Sequence, residues 1–492
     1  MSCLRPIALL SVTIYVILMT VSVGAIEVRA QEQTVEFHNQ DVKLAGSLIL
    51  PQSKGRFPAV VLVHGAGRQT RASYRQIGEH FANQGIAALI YDKRGVGQSS
   101  GSYESSEPYD NLVNDALAAV ELLKSRKDID PSQIGIFGLS QGAYISAAAA
   151  ARSKDIKFVI VVGASVADGM MFYYRDNLFR KYGLSAALRD VAEKIDLIQR
   201  DLSQIFANGP QLSLFAARSY PAPDRYVHPA WHRVTQPVLA MWGQLDQHVP
   251  VGESVSGLKN SLEMADNGKW TMVIVPSTNH DLKVSNTGEI QSESYGYPPE
   301  ELHRMTQWAW TAMKHPSELD NMKQEGIAPS ASVLPKLASY ETLRWYGNAM
   351  VQASLWILFL VSFSTSTIAS TWSCLMRMFR GKRSDTSLAT DKAVRLKRAI
   401  CSLNFMILVA FSVIAYSVSD QIHPNCPYLL RFVPLLGSVS TFASVIFLIV
   451  LYHTPRESTW TLAKRIRWRI DVSVMLLFIP YMLYWNLIGF HF

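Results

Sequence analysis

Ile134-Gly135-Ile136-Phe137-Gly138-Leu139-Ser140-Gln141-Gly142-Ala143 decides the fold of this 492-residue chain. The first six residues read as a short buried strand. Gln141 onward, with Tyr144-Ile145-Ser146 and the alanine run behind it, reads as a helix packed close against that strand. Ser140 falls at the turn between them, in the pattern G-x-S-x-G. A serine there is thrust out of the backbone at the top of a sheet, and the small residues on each side let strand and helix approach. Glycine and serine are common turn residues, so the pattern gains weight only from the strands and partners around it.

Those strands can be read on both sides of it. Thr34–Phe37 and Lys43–Leu50 form a hairpin around Asn39-Gln40-Asp41. Ala59-Val60-Val61-Leu62-Val63 is a continuous β-branched run, as in a strand covered on both faces, and it ends in His64-Gly65-Ala66-Gly67. Ile86–Tyr91, Phe158–Gly163, Val238–Trp242 and Trp270–Val275 are further buried strands. Amphipathic segments at Tyr74–Asn83, Asp110–Lys124 and Glu300–Met313 supply helices. Alternating strands and helices at this spacing predict a mostly parallel sheet with helices on both faces. The rhythm breaks from about 168 to 236, a helical stretch read as a lid inserted above the sheet. Extra core helix is the other reading of that stretch.

A serine hydroxyl is a poor nucleophile at neutral pH. It needs a base to take its proton and an acid to orient that base. Asp246 lies just beyond the strand at 238–242, and His280 just beyond the strand at 270–275. Both fall at carboxyl ends of parallel strands, on the edge that carries Ser140, where sites in open α/β sheets collect. The order Ser140, Asp246, His280 is the one this arrangement requires. His248 and Asp168 are the substitutes for base and acid. Asp92 and Arg94 are read as braces of the glycine turn at 95–101. The oxyanion needs waiting N–H donors. Gln141 supplies one, and the turn at Gly65 and Ala66 supplies the other; loss of one such donor costs about 3 kcal/mol of barrier.

Five motifs in order, His64-Gly65-Ala66-Gly67, Tyr91-Asp92-Lys93-Arg94-Gly95-Val96-Gly97-Gln98-Ser99, Gly138-Leu139-Ser140-Gln141-Gly142, Gly243-Gln244-Leu245-Asp246 and Asn279-His280, resemble the α/β-hydrolase superfamily. The branch resembled is that of serine-aminopeptidase-like and dienelactone-hydrolase-like proteins. The resemblance spans about 34–316. It implies Ser140 as nucleophile, Asp246 as acid and His280 as base, and it leaves the substrate open among esters, thioesters, amides and peptides. Neither the residues nor the resemblance implies a cofactor, organic or metallic.

Charge and hydropathy divide the chain. The net charge is +8, yet residues 31–348 carry 31 basic and 33 acidic groups, and residues 349–492 carry 14 basic and 5 acidic. The basic part is also the most apolar, which argues against nucleic acid as a partner. Apolar runs at 349–372, 399–418, 432–452 and 472–490 are each long enough to cross about 30 Å of hydrocarbon as a helix. The loop after the first run holds Arg377, Arg380, Lys382, Arg383, Lys392, Arg395, Lys397 and Arg398. The loop at 419–428 has no Lys or Arg, and the next holds Arg456, Lys464, Arg465, Arg467 and Arg469. This alternation puts loops one and three in the cytoplasm and the preceding domain outside. Arg5, the apolar run at 7–26 and Val28-Arg29-Ala30 agree independently, as a signal peptide or an uncleaved N-terminal anchor. Of the cysteines Cys3, Cys374, Cys401 and Cys426, none lies in 31–348, so that region has no disulfide or thiol chemistry.

The expectations are therefore an N-terminal signal or anchor at 1–30, an α/β-hydrolase domain at 31–316 with its lid at about 168–236, a linker at 317–348, and an all-α membrane region of four helices at 349–492. The expected activity is carboxylic-ester hydrolysis through an acyl-enzyme, on a small-molecule or lipid-like acyl substrate, by an integral membrane protein. A serine aminopeptidase or amidase of the same fold stays open. So does a transport, sensing or scaffold protein carrying a degenerate hydrolase domain. Against the last, the spans carry no obvious charge at mid-membrane, with Asp420, Arg431 and Asp471 near their ends.

Overall fold

The computed structural model describes residues 30–103, 109–166, 228–289, 293–319, 323–325, 349–380, 388–420, 426–452 and 461–488, with a few scattered positions between 173 and 194. The expected N-terminal signal or anchor and most of the expected lid at 168–236 lie outside the described residues. The chain divides into two compact units. One comprises Met1–Ala167, Asp224–Gly288 and Ser292–Ser332; the other comprises Asp168–Pro223, Glu289–Gln291 and Val333–Phe492.

In the first unit one sheet organises everything. Its strands are β1 (Gln31–Asn39), β2 (Val42–Leu50), β3 (Phe57–Val63), β4 (Ala87–Tyr91), β5 (Ile129–Leu139), β6 (Ile156–Val162), β7 (Val238–Gly243), β8 (Trp270–Val275) and β9 (Lys323–Glu325). Their order is β1-β2-β4-β3-β5-β6-β7-β8-β9. The β1–β2 and β2–β4 pairs are antiparallel and every other pair is parallel. The hairpin turns at Gln40, whose φ of 52° is left-handed. β3, β4 and β7 are buried along their whole length, as their unbroken apolar runs require.

The helices are α1 (Arg75–Asn83), α2 (Tyr109–Ser125), α3 (Gln141–Arg152), α4 (Val251–Met264) and α5 (Pro299–Lys314). Successive side chains along a strand point to opposite faces. Val60, Leu62, Ala88, Ile90, Phe137, Ile160, Met241 and Val273 therefore share a face, which packs on Tyr74, Ile77 and Phe81 at α1 and on Met305, Trp308 and Ala309 of α5. The alternate residues are buried too, on the side where α2 and α3 pack against β5 and each other. The linker expectation needs correction. Lys323-Gln324-Glu325, inside the predicted linker, adds the edge strand β9 beside β8, so the sheet unit runs past 316.

The second unit contains α6 (Ala349–Arg380), α7 (Leu388–Asp420), α8 (Cys426–Tyr452) and α9 (Leu462–Tyr484). Three of these helices hold stretches long and apolar enough to cross a membrane, Met350–Ser373, Lys392–Val413 and Phe432–Tyr452. In α9 the basic residues and Asp471 crowd the first half, and among the described residues of the predicted span at 472–490 the helix ends at Tyr484.

The four helices share one interior containing Phe359, Phe363, Phe411, Phe447, Phe478 and Tyr481. Polar clamps fasten it. Lys397 and Ser366 both donate to Asp471, Ser440 donates to Asn404, and the Trp485 indole donates to Gln352 at 2.9 Å. Asp471 lies near a span end, as the sequence places it, but its side chain is buried against Lys397 and does not reach water. Val191 belongs to the same apolar cluster, and Lys194 donates to the Tyr484 carbonyl at 2.8 Å with its ammonium 4.8 Å from the Tyr484 ring centre. These two positions of the predicted lid are thus fastened to the helical tail.

Candidate active site

The elbow is built by close approach. A Cβ on Gly138 would lie 2.1 Å from the Gly142 carbonyl oxygen, and one on Gly142 would lie 2.4 Å from that of Val63. Only hydrogen at both positions lets α3 start directly over β3 and β5. Ser140 takes the strain, with φ 54° and ψ −115°, a region closed to most L residues and costing about 1–3 kcal/mol. Its own N–H donates to the Val162 carbonyl at 2.8 Å, so the residue is pinned between β5 and β6.

His280 follows β8 in a loop closed on itself. Asn279 and Lys283 pair through N–H and carbonyl at 2.9 Å, and the Asn279 side-chain oxygen accepts from the N–H groups of Asp281 and Lys283. Left-handed residues, Ser277 and Leu282, bracket the turn. His280 Nδ1 lies 2.7 Å from Asp246 Oδ2. The other carboxylate oxygen, Oδ1, accepts the backbone N–H groups of His248 at 2.7 Å and Val249 at 3.0 Å. Asp246 is 2% exposed, and these three donors are what allow a carboxylate to sit there.

Burial works against the imidazolium of His280, but the Asp246 carboxylate, with Asp281 beyond it, raises the ring above its ordinary value. With Nδ1–H on Asp246, Nε2 is the nitrogen left to take a proton. Gly163, just after β6, is what makes room for the ring: a Cβ there would lie 2.7 Å from His280 Cε1, and its φ of 59° is left-handed. Among the described residues the Ser140 hydroxyl makes no hydrogen bond to His280, as is common for such pairs before substrate arrives.

His248 stacks on His280, with ring centres 4.4 Å apart and planes 17° from parallel. Burial, then the neighbouring His280, pushes His248 down to about 4. Asp246, His248 and His280 bring possible ligand atoms within 4.8 Å of one another. Parallel stacked rings aim their lone pairs side by side and do not converge on one ion, and Asp246 is already spent on His280 and two backbone donors. The cluster fits an acid–base pair with an apolar-side neighbour better than a metal centre.

The oxyanion expectation needs one correction. Gly65 N–H donates to the Tyr74 hydroxyl at 2.8 Å and is occupied. Gly67 N–H donates to the Tyr103 hydroxyl at 3.0 Å. Ala66 N–H and Gln141 N–H have no acceptor among the described residues, the latter because a helix's first N–H groups have no intrahelical partner. Asp92 accepts the N–H groups of Arg71 and Gln98 at 2.9 Å each, and Arg94 forks onto buried Asp115, so both brace the loops behind the site.

Tyr74, Tyr103 and Lys93 are site residues that the sequence reading missed as such. Lys93 stood inside a quoted motif, but nothing local marks the two tyrosines. Buried His64 holds the Tyr91 carbonyl through Nε2, and burial, with Lys93 next, pushes it down to about 3, so it is neutral and structural.

The doubly covered parallel sheet, a strained serine elbow and an acid–histidine pair at the carboxyl edge define an α/β-hydrolase. The family "Serine aminopeptidase, S33" matches residues 56–284. This unit belongs to the α/β-hydrolase superfamily. The chain is 26% identical over 271 residues to esterase EstD of Thermotoga maritima, covering 53% of this chain and 63% of that protein. It is 31% identical over 126 residues to the quorum-quenching protein AidA of Acinetobacter baumannii, covering 26% of this chain and 41% of that protein. The matches therefore span less than two thirds of either relative. A solved esterase of Pyrococcus furiosus is similar at 18% identity and a TM-score of 0.39, covering 58% of this chain and 94% of that one.

Proposed function

We propose that the protein is a membrane-held serine hydrolase that cleaves carboxylic esters through an acyl-enzyme. The observation that carries this is the closed His280–Asp246 pair on the sheet edge that also bears the strained Ser140.

In the proposed reaction His280 Nε2 takes the Ser140 proton as the oxygen attacks the acyl carbon. Asp246 stabilises the imidazolium, and the N–H groups of Ala66 and Gln141 receive the oxyanion. Collapse expels the alcohol with the proton from His280. Water, deprotonated by the same ring, then releases the carboxylate and regenerates the serine.

The similarity to EstD, an esterase, supports the ester class. The S33 match favours a second reading, hydrolysis of an aminoacyl bond. The apolar helices and the alternation of loop charge support a multi-pass membrane location with the hydrolase unit on the extracytoplasmic side. The substrate would be a small-molecule or lipid-like acyl compound.

A serine-directed fluorophosphonate should label the full-length protein and not Ser140→Ala, and a panel of graded acyl esters and aminoacyl anilides should be turned over with esters ahead. An intact, folded protein that takes no label would refute the enzyme reading; anilides ahead would move it to the peptidase. Protease added to spheroplasts should reach the hydrolase unit, and full protection would refute the placement.

A further inference from the structure

The tripeptide Gly65-Ala66-Gly67 offers six backbone polar groups, and five of them are held. Two N–H groups go to Tyr74 and Tyr103. The Ala66 carbonyl accepts from the Gln69 side chain at 2.8 Å. The carbonyls of Gly65 and Gly67 both accept from Lys93 Nζ, at 2.7 and 3.1 Å. The third proton of that ammonium goes to Gln141 Oε1 at 2.8 Å.

Lys93 is 2% exposed, and its Nζ also lies 4.3 Å from the Tyr103 ring centre. An ammonium has three donors and no acceptor, and three oxygens surround this one. Arg94, its neighbour, does a different job on Asp115, so the lysine is not part of that brace.

We infer that Lys93 is a positioning residue that sets the oxyanion donors, by holding the Gly65 carbonyl and the Gln141 side chain at once. The physical reason is peptide geometry. No peptide bond in the described chain is cis, and in a trans peptide the C=O and N–H of one plane point in opposite directions. Turning the Gly65 carbonyl onto Lys93 therefore turns the Ala66 N–H away from it, leaving it the one unheld group of the tripeptide. The second donor sits on Gln141, whose side chain the same ammonium holds. One buried charge thus fixes the relative placement of the loop donor and the elbow donor.

The inference rests on Ser140 acting as the nucleophile, which fluorophosphonate labelling tests separately. Its own test is Lys93→Met in the full-length protein, with activity expressed per titrated serine so that any misfolded fraction is removed. The expected result is a kcat lower by about 10- to 100-fold with KM nearly unchanged, somewhat less than outright removal of an oxyanion donor. Affinity for a trifluoromethyl ketone, whose serine adduct carries the oxyanion, should fall by the same factor. A Gln141→Leu variant should show a smaller loss in the same two quantities, since it removes one of the three anchors. A labelled Lys93→Met enzyme with wild-type kcat and ketone affinity would overturn the inference. So would a change confined to the titratable fraction, which is what a merely structural lysine would give.

Discussion

Both units bury a carboxylate against a cationic or potentially cationic partner, and they use it differently. At the sheet edge Asp246 binds His280 through one oxygen and two backbone N–H groups through the other, and the ring keeps one nitrogen uncommitted. In the helical tail Asp471 receives Lys397 and Ser366, each from a different helix, so the groups of this cluster close on one another. A site for chemistry leaves capacity unfilled: a ring nitrogen and the N–H groups of Ala66 and Gln141. A clamp sets its buried charges against each other. The tail's buried polar pairs join α6, α7, α8 and α9 and so fix their contacts.

The contrast can be broken or sharpened by mutation. Ser140→Ala should lower kcat by about a millionfold if it acts as the triad does elsewhere, with thermal unfolding of the tail in detergent unchanged. A residual rate within about tenfold of wild type would place the chemistry elsewhere. Asp246→Asn keeps the shape but leaves Nδ1 facing a poorer orienting group, and kcat should fall by about ten-thousandfold.

Lys397→Met should do the reverse. It leaves Asp471 buried with Ser366 but no cation, at a cost of about 3–5 kcal/mol, seen as a lower unfolding midpoint of the full-length protein in detergent, while kcat per titrated serine stays put. The double variant Lys397→Met with Asp471→Leu should recover most of that loss. If the single variant abolished turnover in a folded, labelled protein, the tail would be more than a clamp.

Gly163→Ala should give a smaller, mixed effect. The added methyl meets His280 Cε1, so kcat/KM should drop while labelling by fluorophosphonate slows but persists.

The smallest effects concern pH. His280 must be neutral to act as base, and its value is raised, so kcat/KM should rise with pH through a midpoint above the ordinary 6.5. Burial pushes the Lys93 ammonium down to about 7. Above that value it loses one of its three donors, so activity should fall again as pH rises. Lys93→Met should lose the alkaline limb and keep the acid one; an unchanged bell in that variant would separate the limb from Lys93.

Much of the sheet unit was legible because its signals are local. Buried strands read as β-branched runs, and Ser140, Asp246 and His280 each follow one directly. What could not be read were contacts between distant segments. The hydroxyl that occupies Gly65 N–H belongs to Tyr74, on a neighbouring turn, so the sequence alone does not distinguish Gly65 from Ala66. β9 is three polar residues that become a strand only beside β8. Lys397 and Asp471 each look like ordinary span-flanking charges, and their pairing crosses 74 residues. The 168–236 stretch is amphipathic, which announces a buried face without naming what covers it; Val191 and Lys194 meet the tail.

The most direct measurement is peptide mass mapping of the full-length protein after fluorophosphonate treatment. A single adduct on the Ser140 peptide is predicted, absent in Ser140→Ala and formed far more slowly in Asp246→Asn. An adduct on another residue, or none on a folded protein that still hydrolyses esters, would contradict it.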